Sequence, residues 1–478
     1  MARPPYDQLL QIIAKKDRQI LRLQSRVTQL EARVVQLEQL LEQATRSTKR
    51  QAAPFSKGSP QAQPKKPGRK AGKAYGKKAH RPPPPQQPDQ VIDVPLPSQC
   101  PDCDGEAQED HVEHQFQVEI PRQPVVRRFD LHVASCTRCG RRLQPRHPLQ
   151  TSDATGAAAS QLGPDLQAMI ALMKNKYGLS YGDIQGLLKQ VFGISITRGG
   201  AAHVVLRMGR RSRPVYDAIR DAVRHSHTVY PDETGWEVAA RLQWMWVFVA
   251  DKVTLYVIRP SRGGDVPRDV LGADYGGRMI HDGWSPYDGF AQATHQQCLA
   301  HLLRRAGLLL EQATRGAVRF PRKVKTLLLD SLRLRDRREA GRISEQGLAC
   351  ARGRLRKRLD RLLAWRLSHR GNRTFRNHLA RHADAIFTFL YEPGIEATTW
   401  PAEQAIRPAV VNRKVFGGNR TPAGARAQEI LGSILATCDQ QAHDALAFLS
   451  TLIRTPSGQH PSHLSRIVST PQIQPPNR

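Results

Sequence analysis

Long apolar runs, acidic residues and cysteine are all scarce in this 478-residue sequence. The most apolar short run, Trp244 to Ala250, spans seven residues, far below the ~20 a membrane-spanning helix needs. The N-terminus carries no apolar stretch of the signal-peptide kind, so export is not expected. Seven cysteines, an odd number in a long chain, do not make a disulfide framework. A reducing cytoplasm fits. Asp and Glu number 42 against 73 Lys and Arg, a formal net charge of +31 with a pI near 10.5. Such an excess speaks of partners rather than fold: nucleic acid first, an anionic surface second. The length allows roughly three domains at about 150 residues each.

Residues 8–48 carry a heptad. With Ile13 at position a, the a series reads Ile13, Ile20, Val27, Val34, Leu41, and the d series Lys16, Leu23, Leu30, Leu37, Ala44. β-Branched residues at a with Leu at d favour a parallel two-stranded coiled coil. Arg26 and Arg33 at g, with Glu31 and Glu38 five residues later at e, suit pairing between chains. A homodimer or higher oligomer is expected; one amphipathic helix packed on its own domain is the alternative.

Residues 49–97 form a basic, Pro/Gly-rich linker. Lys49 to Arg81 holds eleven Lys and Arg and no acid, a composition that cannot bury enough apolar surface to fold alone. Either it is a solvated linker, or Lys65, Lys66, Lys70, Lys77 and Lys78 form an arm that neutralises phosphates without reading sequence.

In residues 98–147, Cys100-Pro-Asp-Cys103 and Cys136-Thr-Arg-Cys139-Gly140 are separated by 32 residues. Two such knuckles offer four thiolates for a tetrahedral structural Zn²⁺. Alternation at Phe116, Val118, Ile120 and at Phe129, Leu131, Val133, around Pro121-Arg-Gln-Pro124, predicts a hairpin between them, a zinc ribbon. His111 and His114 are rival ligands. Residues 160–212 read as three short helices with breaks at Ser180 and Gly193 and a basic end at Arg210-Arg211. This is either a helix-turn-helix DNA-binding segment or plain three-helix packing.

From His225 the pattern turns to strands. Thr228 to Thr234 ends in Asp232 and Glu233, Trp244 to Ala250 and Thr254 to Ile258 follow, and a helix over Val266 to Leu271 precedes a strand ending at Asp282. Three strands, a helix and a fourth strand give an α/β fold with ribonuclease-H-like order, in which the first and fourth strands are neighbours. Asp232 and Asp282 would then converge and repel unless a hard cation such as Mg²⁺ sits between them.

Asp232-Glu-Thr-Gly235, His281-Asp-Gly-Trp-Ser-Pro-Tyr287, Cys298-Leu-Ala-His301 with Arg304-Arg305, and Ala402-Glu-Gln-Ala-Ile-Arg-Pro-Ala-Val-Val411 with Arg413-Lys414 resemble the transposases of the insertion sequence 66 family. The similarity runs from about residue 10 to 453. It implies a three-carboxylate catalytic domain over 225–437 with a helical insertion at 299–391, and a C-terminal helix and tail over 438–478. Carried over, it makes Asp232, Asp282 and Glu403 the ligands of Mg²⁺ (or Mn²⁺), and gives Arg407, Arg413 and Lys414 to DNA. The implied activity is metal-dependent DNA strand cleavage and strand transfer at element ends. Double-stranded DNA is then the partner, helper proteins are possible ones, and the setting is the bacterial nucleoid. One departure is Thr398-Thr399-Trp400, where the family usually has Thr-Asn-Asn before the Glu. The alternative it leaves open is a non-catalytic, inactivated or domesticated zinc-containing DNA-binding protein. By spacing alone Glu403 and Arg407 would be a helical surface pair, Cys298 and His301 packing residues, and Asp288 a turn residue before Gly289.

Overall fold

The computed structural model describes residues 162–455 continuously, most of 15–37, all of 87–95, and parts of 106–154. The chain divides into two compact units, 1–118 and 119–478. In the first, the described residues of 15–37 are helical. Ile20, Leu23, Val27, Leu30, Val34 and Leu37 lie on that helix and are all at least half exposed. The five lysines of the basic segment, Cys100 and Cys103 lie outside the described residues.

The second unit opens with a minimal hairpin. Strand β1 (Ala134–Ser135) pairs antiparallel with β2 (Arg142–Leu143), and the second Cys-x2-Cys forms its tip. Gly140 there has φ +69°, a conformation that costs glycine little, and its N–H closes the turn onto the Cys136 carbonyl at 2.9 Å. The predicted strand at Phe129 to Val133 is not formed; residues 123–133 carry no strand. Alternation sets which way side chains point, but a strand also needs a hydrogen-bonded neighbour. The expected partner, 116–120, is outside the described residues.

Four helices follow: α1 (Pro164–Asn175), α2 (Tyr181–Phe192), α3 (Arg198–Arg211) and α4 (Arg213–Arg224). Their boundaries have local causes. Ser180 and Asp183 form a reciprocal capping box, Gly193 ends α2 in the left-handed region, and the Thr197 hydroxyl accepts the Gly200 N–H; each satisfies backbone groups a helix end leaves open. Gly209 of α3 meets Ala427 so closely that a Cβ would stand 2.9 Å from its Cα.

The sheet comprises β3 (Thr228–Val238), β4 (Arg241–Ala250), β5 (Thr254–Arg259), β6 (Arg278–His281) and β7 (Thr294–Gln297), with α5 (Asp265–Leu271) between β5 and β6. The order across it is β5-β4-β3-β6-β7. β4 runs antiparallel to both of its neighbours, β3 and β5, whereas β6 runs parallel to β3, and β7 to β6. β3 does not stop at Thr234 as its polarity suggested. It continues to Val238 because residues 235–238 pair with Arg241 to Trp244 around the Ala239-Ala240 turn, both alanines having positive φ.

After β7 come α6 (Leu299–Gln312), α7 (Arg319–Glu339), α8 (Glu345–Leu363), α9 (Arg370–Arg381) and the one-turn α10 (Thr388–Tyr391). Then follow α11 (Trp400–Phe416), α12 (Pro422–Gln440) and α13 (Ala445–Arg454). The period-2 alternation of the strands sorts them into two cores. Trp246, Phe248, Leu255, Val257 and Met279 face α1–α5, α12 and α13. Met245, Val247, Tyr256, Ile258 and Ile280 face α6–α11. The helices of 164–224 thus share one core with the sheet.

The outer edge of the sheet is closed by side chains. Thr437, Ser433 and Glu429, one helical turn apart on α12, accept the N–H groups of Thr254, Tyr256 and Ile258 on β5. This occupies the donors an edge strand would otherwise offer to a foreign strand.

Candidate active site

Strand register sets the first two carboxylates. Thr228 is level with Arg278 and Val229 with Met279 in the parallel pair β3–β6. The same offset of fifty brings Asp282, one residue past the end of β6, near Asp232. Asp232 shares its strand face with Tyr230 and Trp236, which belong to the core beneath α6 and α11.

Burial, the neighbouring Glu233 and then Asp282 raise the Asp232 carboxyl to about 7, against partial relief from the Glu233 N–H and from His301. Asp282 is turned by its own loop: its Oδ1 accepts the Trp284 N–H at 2.9 Å. Gly283 between them has φ +87°, a conformation strained for any other residue, and a Cβ there would also displace the Gln297 side chain, 2.4 Å from its Oε1.

A second set of contacts ties that loop to β3. Glu233 Oε1 accepts two N–H groups of Arg262, at 3.1 and 2.8 Å, and Glu233 Oε2 accepts the hydroxyl of Tyr287 at 3.2 Å. The Arg262 guanidinium lies 4.5 Å from the Trp244 ring centroid and 3.9 Å from that of Trp284. Charge-assisted hydrogen bonds and two aromatic faces together make a stiff clamp. Burial still raises the Glu233 carboxyl, against the Arg262 hydrogen bond. The 3₁₀ turn Ser285–Gly289 holds Asp288, whose Oδ1 stands 3.6 Å from His382 Nδ1. Asp288 is thus a turn residue, as its setting before Gly289 suggested.

Glu403 is held differently. It sits in the first turn of α11, its Oε1 3.8 Å from His301 Nδ1 and 4.0 Å from an Arg304 nitrogen, both on α6. These are ion-pair distances, too long for hydrogen bonds. His301 lies beside Cys298, whose sulfur accepts from the Thr399 N–H and hydroxyl, each at 3.3 Å. Burial alone would raise the Cys298 thiol, but His301 and Thr399 outweigh it and leave it below the usual range. Cys298, followed by Asp282, raises the His301 imidazole, against burial. Sequence reasoning assigned Cys298 and His301 to packing and missed this link from Cys298 through His301 to Glu403. The available signal was their spacing, which puts Cys298 at the N-cap and His301 in the first turn of α6.

Thr399, where the family pattern is broken, is 2% exposed, whereas Trp400 is 62% exposed. The Thr399 carbonyl accepts the Glu403 N–H at 3.0 Å, so this residue seats the helix that carries the third acid. Arg413 is turned inward, donating to Thr234 Oγ1 at 3.1 Å and to the Gly235 carbonyl; Arg407 and Lys414 are exposed.

Among the described residues, no group of three or more His, Cys, Asp or Glu side chains is arranged to hold a metal ion. The strand pair fits a hard divalent cation by its chemistry, because a positive charge there would relieve the buried negative charge that raises Asp232. Glu403 is engaged by His301 and Arg304 and, among the described residues, does not complete a three-acid group with that pair.

Residues 159–427, more than half of the chain, match the model of the family described as Transposase IS66 family. The chain belongs to that family. The span takes in Asp232, Asp282, Glu403 and the whole helical insertion, as well as the helices of 164–224. Among curated proteins, this IS66-family chain is similar to the uncharacterized protein y4qI of Sinorhizobium fredii (strain NBRC 101917 / NGR234). The two are 24% identical over 310 residues, covering 58% of this chain and 56% of that protein. The chain thus spans little more than half the length of the curated relative it matches. No helix among the described residues is long and apolar enough to cross a membrane.

Proposed function

We propose that this IS66-family chain is a metal-dependent DNA transposase with a ribonuclease-H-like core, cutting and joining strands at the ends of its element. The observation that carries the reading is the parallel pairing of β3 with β6, which brings Asp232 near Asp282 just past the end of β6, so that Asp282 helps to raise the Asp232 carboxyl to about 7. The strand order β5-β4-β3-β6-β7 supports the fold assignment. In this reading Asp232 and Asp282 hold Mg²⁺ or Mn²⁺, and Glu403 is the third acid of the set. Bound divalent cations would supply an activated water or 3′-hydroxyl and stabilise the leaving oxygen of a phosphodiester displacement. The residues of this chain do the rest. Arg262, Glu233 and Tyr287 keep the Asp282 loop against β3, and Arg413 ties α11 to β3 beside Asp232. His301 and Arg304 hold Glu403 close to the strand pair.

The same reading assigns Cys136 and Cys139, with Cys100 and Cys103, to a structural Zn²⁺. Backbone N–H groups of Cys139 and Arg138 lower the Cys136 thiol, which favours the thiolate that binds metal. The heptad helix serves dimerisation, and the basic arm, Arg407 and Lys414 serve DNA.

The test is a cleavage assay on a labelled element end with Mg²⁺. Asp282→Asn keeps the shape and removes the charge that binds the cation, so cleavage should fall at least about a thousandfold, roughly 4 kcal/mol in barrier, with DNA affinity nearly unchanged. Asp288→Asn should retain most activity. Cleavage that survives Asp282→Asn overturns the assignment.

A further inference from the structure

We infer that the tip of the helical insertion is a second grip on double-stranded DNA, built by two basic stretches distant in sequence, one around α7's first turn and one around α9's; the inference rests on the DNA-processing function proposed above. Residues 299–391 hold 23 Lys and Arg against seven Asp and Glu, an excess of 16 that is about half of the whole chain's net charge. That charge is not spread evenly. No acid occurs between Glu311 and Asp330, or between Asp360 and Asp384.

The fold brings these two acid-free stretches together. The side-chain amide of Asn372, near the start of α9, donates to the Ala317 carbonyl just before α7, at 2.7 Å, and Asn372 is 2% exposed. Phe320 of α7 packs against Trp365 and Phe375, ring centroids 6.2 and 6.3 Å away. Around this apolar joint, Arg315, Arg319 and Arg322 from one stretch and Arg366, Arg370 and Arg373 from the other are all exposed. Among the described residues none of the six makes an ion pair within 4 Å, unlike Arg333, Arg335, Arg356 and Arg358 elsewhere in the insertion, which are paired with acids. Unneutralised, exposed guanidinium groups converging from two segments suit a polyanion, and Arg recognises phosphate well.

Its distance from the carboxylates selects a duplex. α6 runs from beside Glu403, through His301 and Arg304, to Gln312, three residues before Arg315. Fourteen residues at ~1.5 Å each give a spoke of about 21 Å, or roughly six base pairs of B-form DNA at ~3.4 Å per step. A duplex with a phosphate at the carboxylates would reach the tip about half a helical turn away.

The experiment uses the full chain and a linear duplex of about 40 base pairs of arbitrary sequence, with affinity measured against salt and the bound region mapped by nuclease protection. In the quadruple variant Arg319→Gln, Arg322→Gln, Arg370→Gln and Arg373→Gln, the slope of log affinity against log salt should flatten by two to four, each lost phosphate contact contributing ~0.9. Protection should shorten by about six base pairs on one side, with an unchanged melting temperature. The charge-matched variant Arg333→Gln, Arg335→Gln, Arg356→Gln and Arg358→Gln should change the slope by less than one. Equal flattening by both variants, or wild-type slope and protection in the first, overturns the inference. Because binding is read without cleavage, a wild-type protein that binds but never cuts would refute the proposed catalysis and leave the grip standing.

Discussion

Two kinds of support hold the acids of this site, strand pairing and side-chain contacts. Asp232 lies on β3 and Asp282 one residue past the end of β6, the neighbouring strand, so strand pairing brings the two near each other. Glu403 is carried by a helix and kept near them by side chains, through His301 at 3.8 Å and Arg304 at 4.0 Å. The first two acids therefore depend on strand pairing and the third on side-chain contacts. A site that must accept a DNA strand, process it and release it gains from such a division. On the proposed reading, Asp232 and Asp282 would define where a cation goes, and Glu403 would join them when DNA is bound.

The comparison is broken most strongly at the helix acid. His301→Ala should lower cleavage by about ten- to a hundredfold, roughly 1.4–2.7 kcal/mol in barrier, with little change in DNA affinity. His301→Gln, which keeps a polar side chain of similar reach, should recover part of the loss. Steady-state rates on a saturating duplex provide the check, and equal losses in both variants would mean that His301 serves only packing.

A smaller effect is expected where the strand pair is braced. Arg262→Ala removes both bonds to Glu233 and the stacking on Trp244 and Trp284, and should cost about tenfold in turnover; Arg262→Lys keeps the charge but not the fork and should fall between. Single-turnover cleavage measured at saturating DNA separates turnover from binding here. Wild-type turnover in Arg262→Ala would show that the Asp282 loop needs no brace.

The last effect is on stability rather than rate and has the opposite sign. Asp232 titrates at about 7 in the native protein against 3.8 for an unperturbed Asp. Between those values the native state binds more protons than the unfolded one, so metal-free stability falls as pH rises from about 4 to 7 and then levels off. Asp232→Asn removes that loss. It should melt several degrees above wild type at pH 8 without metal, the full shift corresponding to at most about 4 kcal/mol, and the gain should vanish near pH 4. Thermal melts across pH in a chelating buffer check this; a variant no more stable than wild type at pH 8 would contradict the buried-charge reading.

Much of this arrangement is legible in the residues. Ser180, Gly193 and Thr197 mark helix ends by local hydrogen bonding, which short sequence carries. The apolar run Trp244 to Ala250 marks a strand buried on both faces. The order of three strands, a helix and a fourth strand was readable, and the structure sets β3 beside β6 accordingly. Other features depend on contacts between distant segments. The extension of β3 to Val238 comes from pairing with β4, against the polarity of Glu233 and Thr234. β7, with the sequence Thr-His-Gln-Gln, has no apolar alternation and is held by its ladder to β6. The bridge from Cys298 through His301 to Glu403 joins residues about a hundred apart, and only the family resemblance pointed to Glu403 itself. The described heptad residues of 15–37 are helical, whereas Cys100, Cys103 and the five lysines of the basic arm fall outside the described residues.

The central claim is that the two strand carboxylates form the resident cation site and the helix acid joins them. Mn²⁺ binding to the DNA-free protein, followed by the loss of its free-ion paramagnetic resonance signal, tests this without any need for cleavage. Wild type should bind, Asp232→Asn and Asp282→Asn should each weaken binding at least about tenfold, and Glu403→Gln should weaken it by no more than about threefold. If Glu403→Gln costs as much as either strand substitution, or if Mn²⁺ binding survives Asp282→Asn unchanged, the division between the strand acids and the helix acid is wrong.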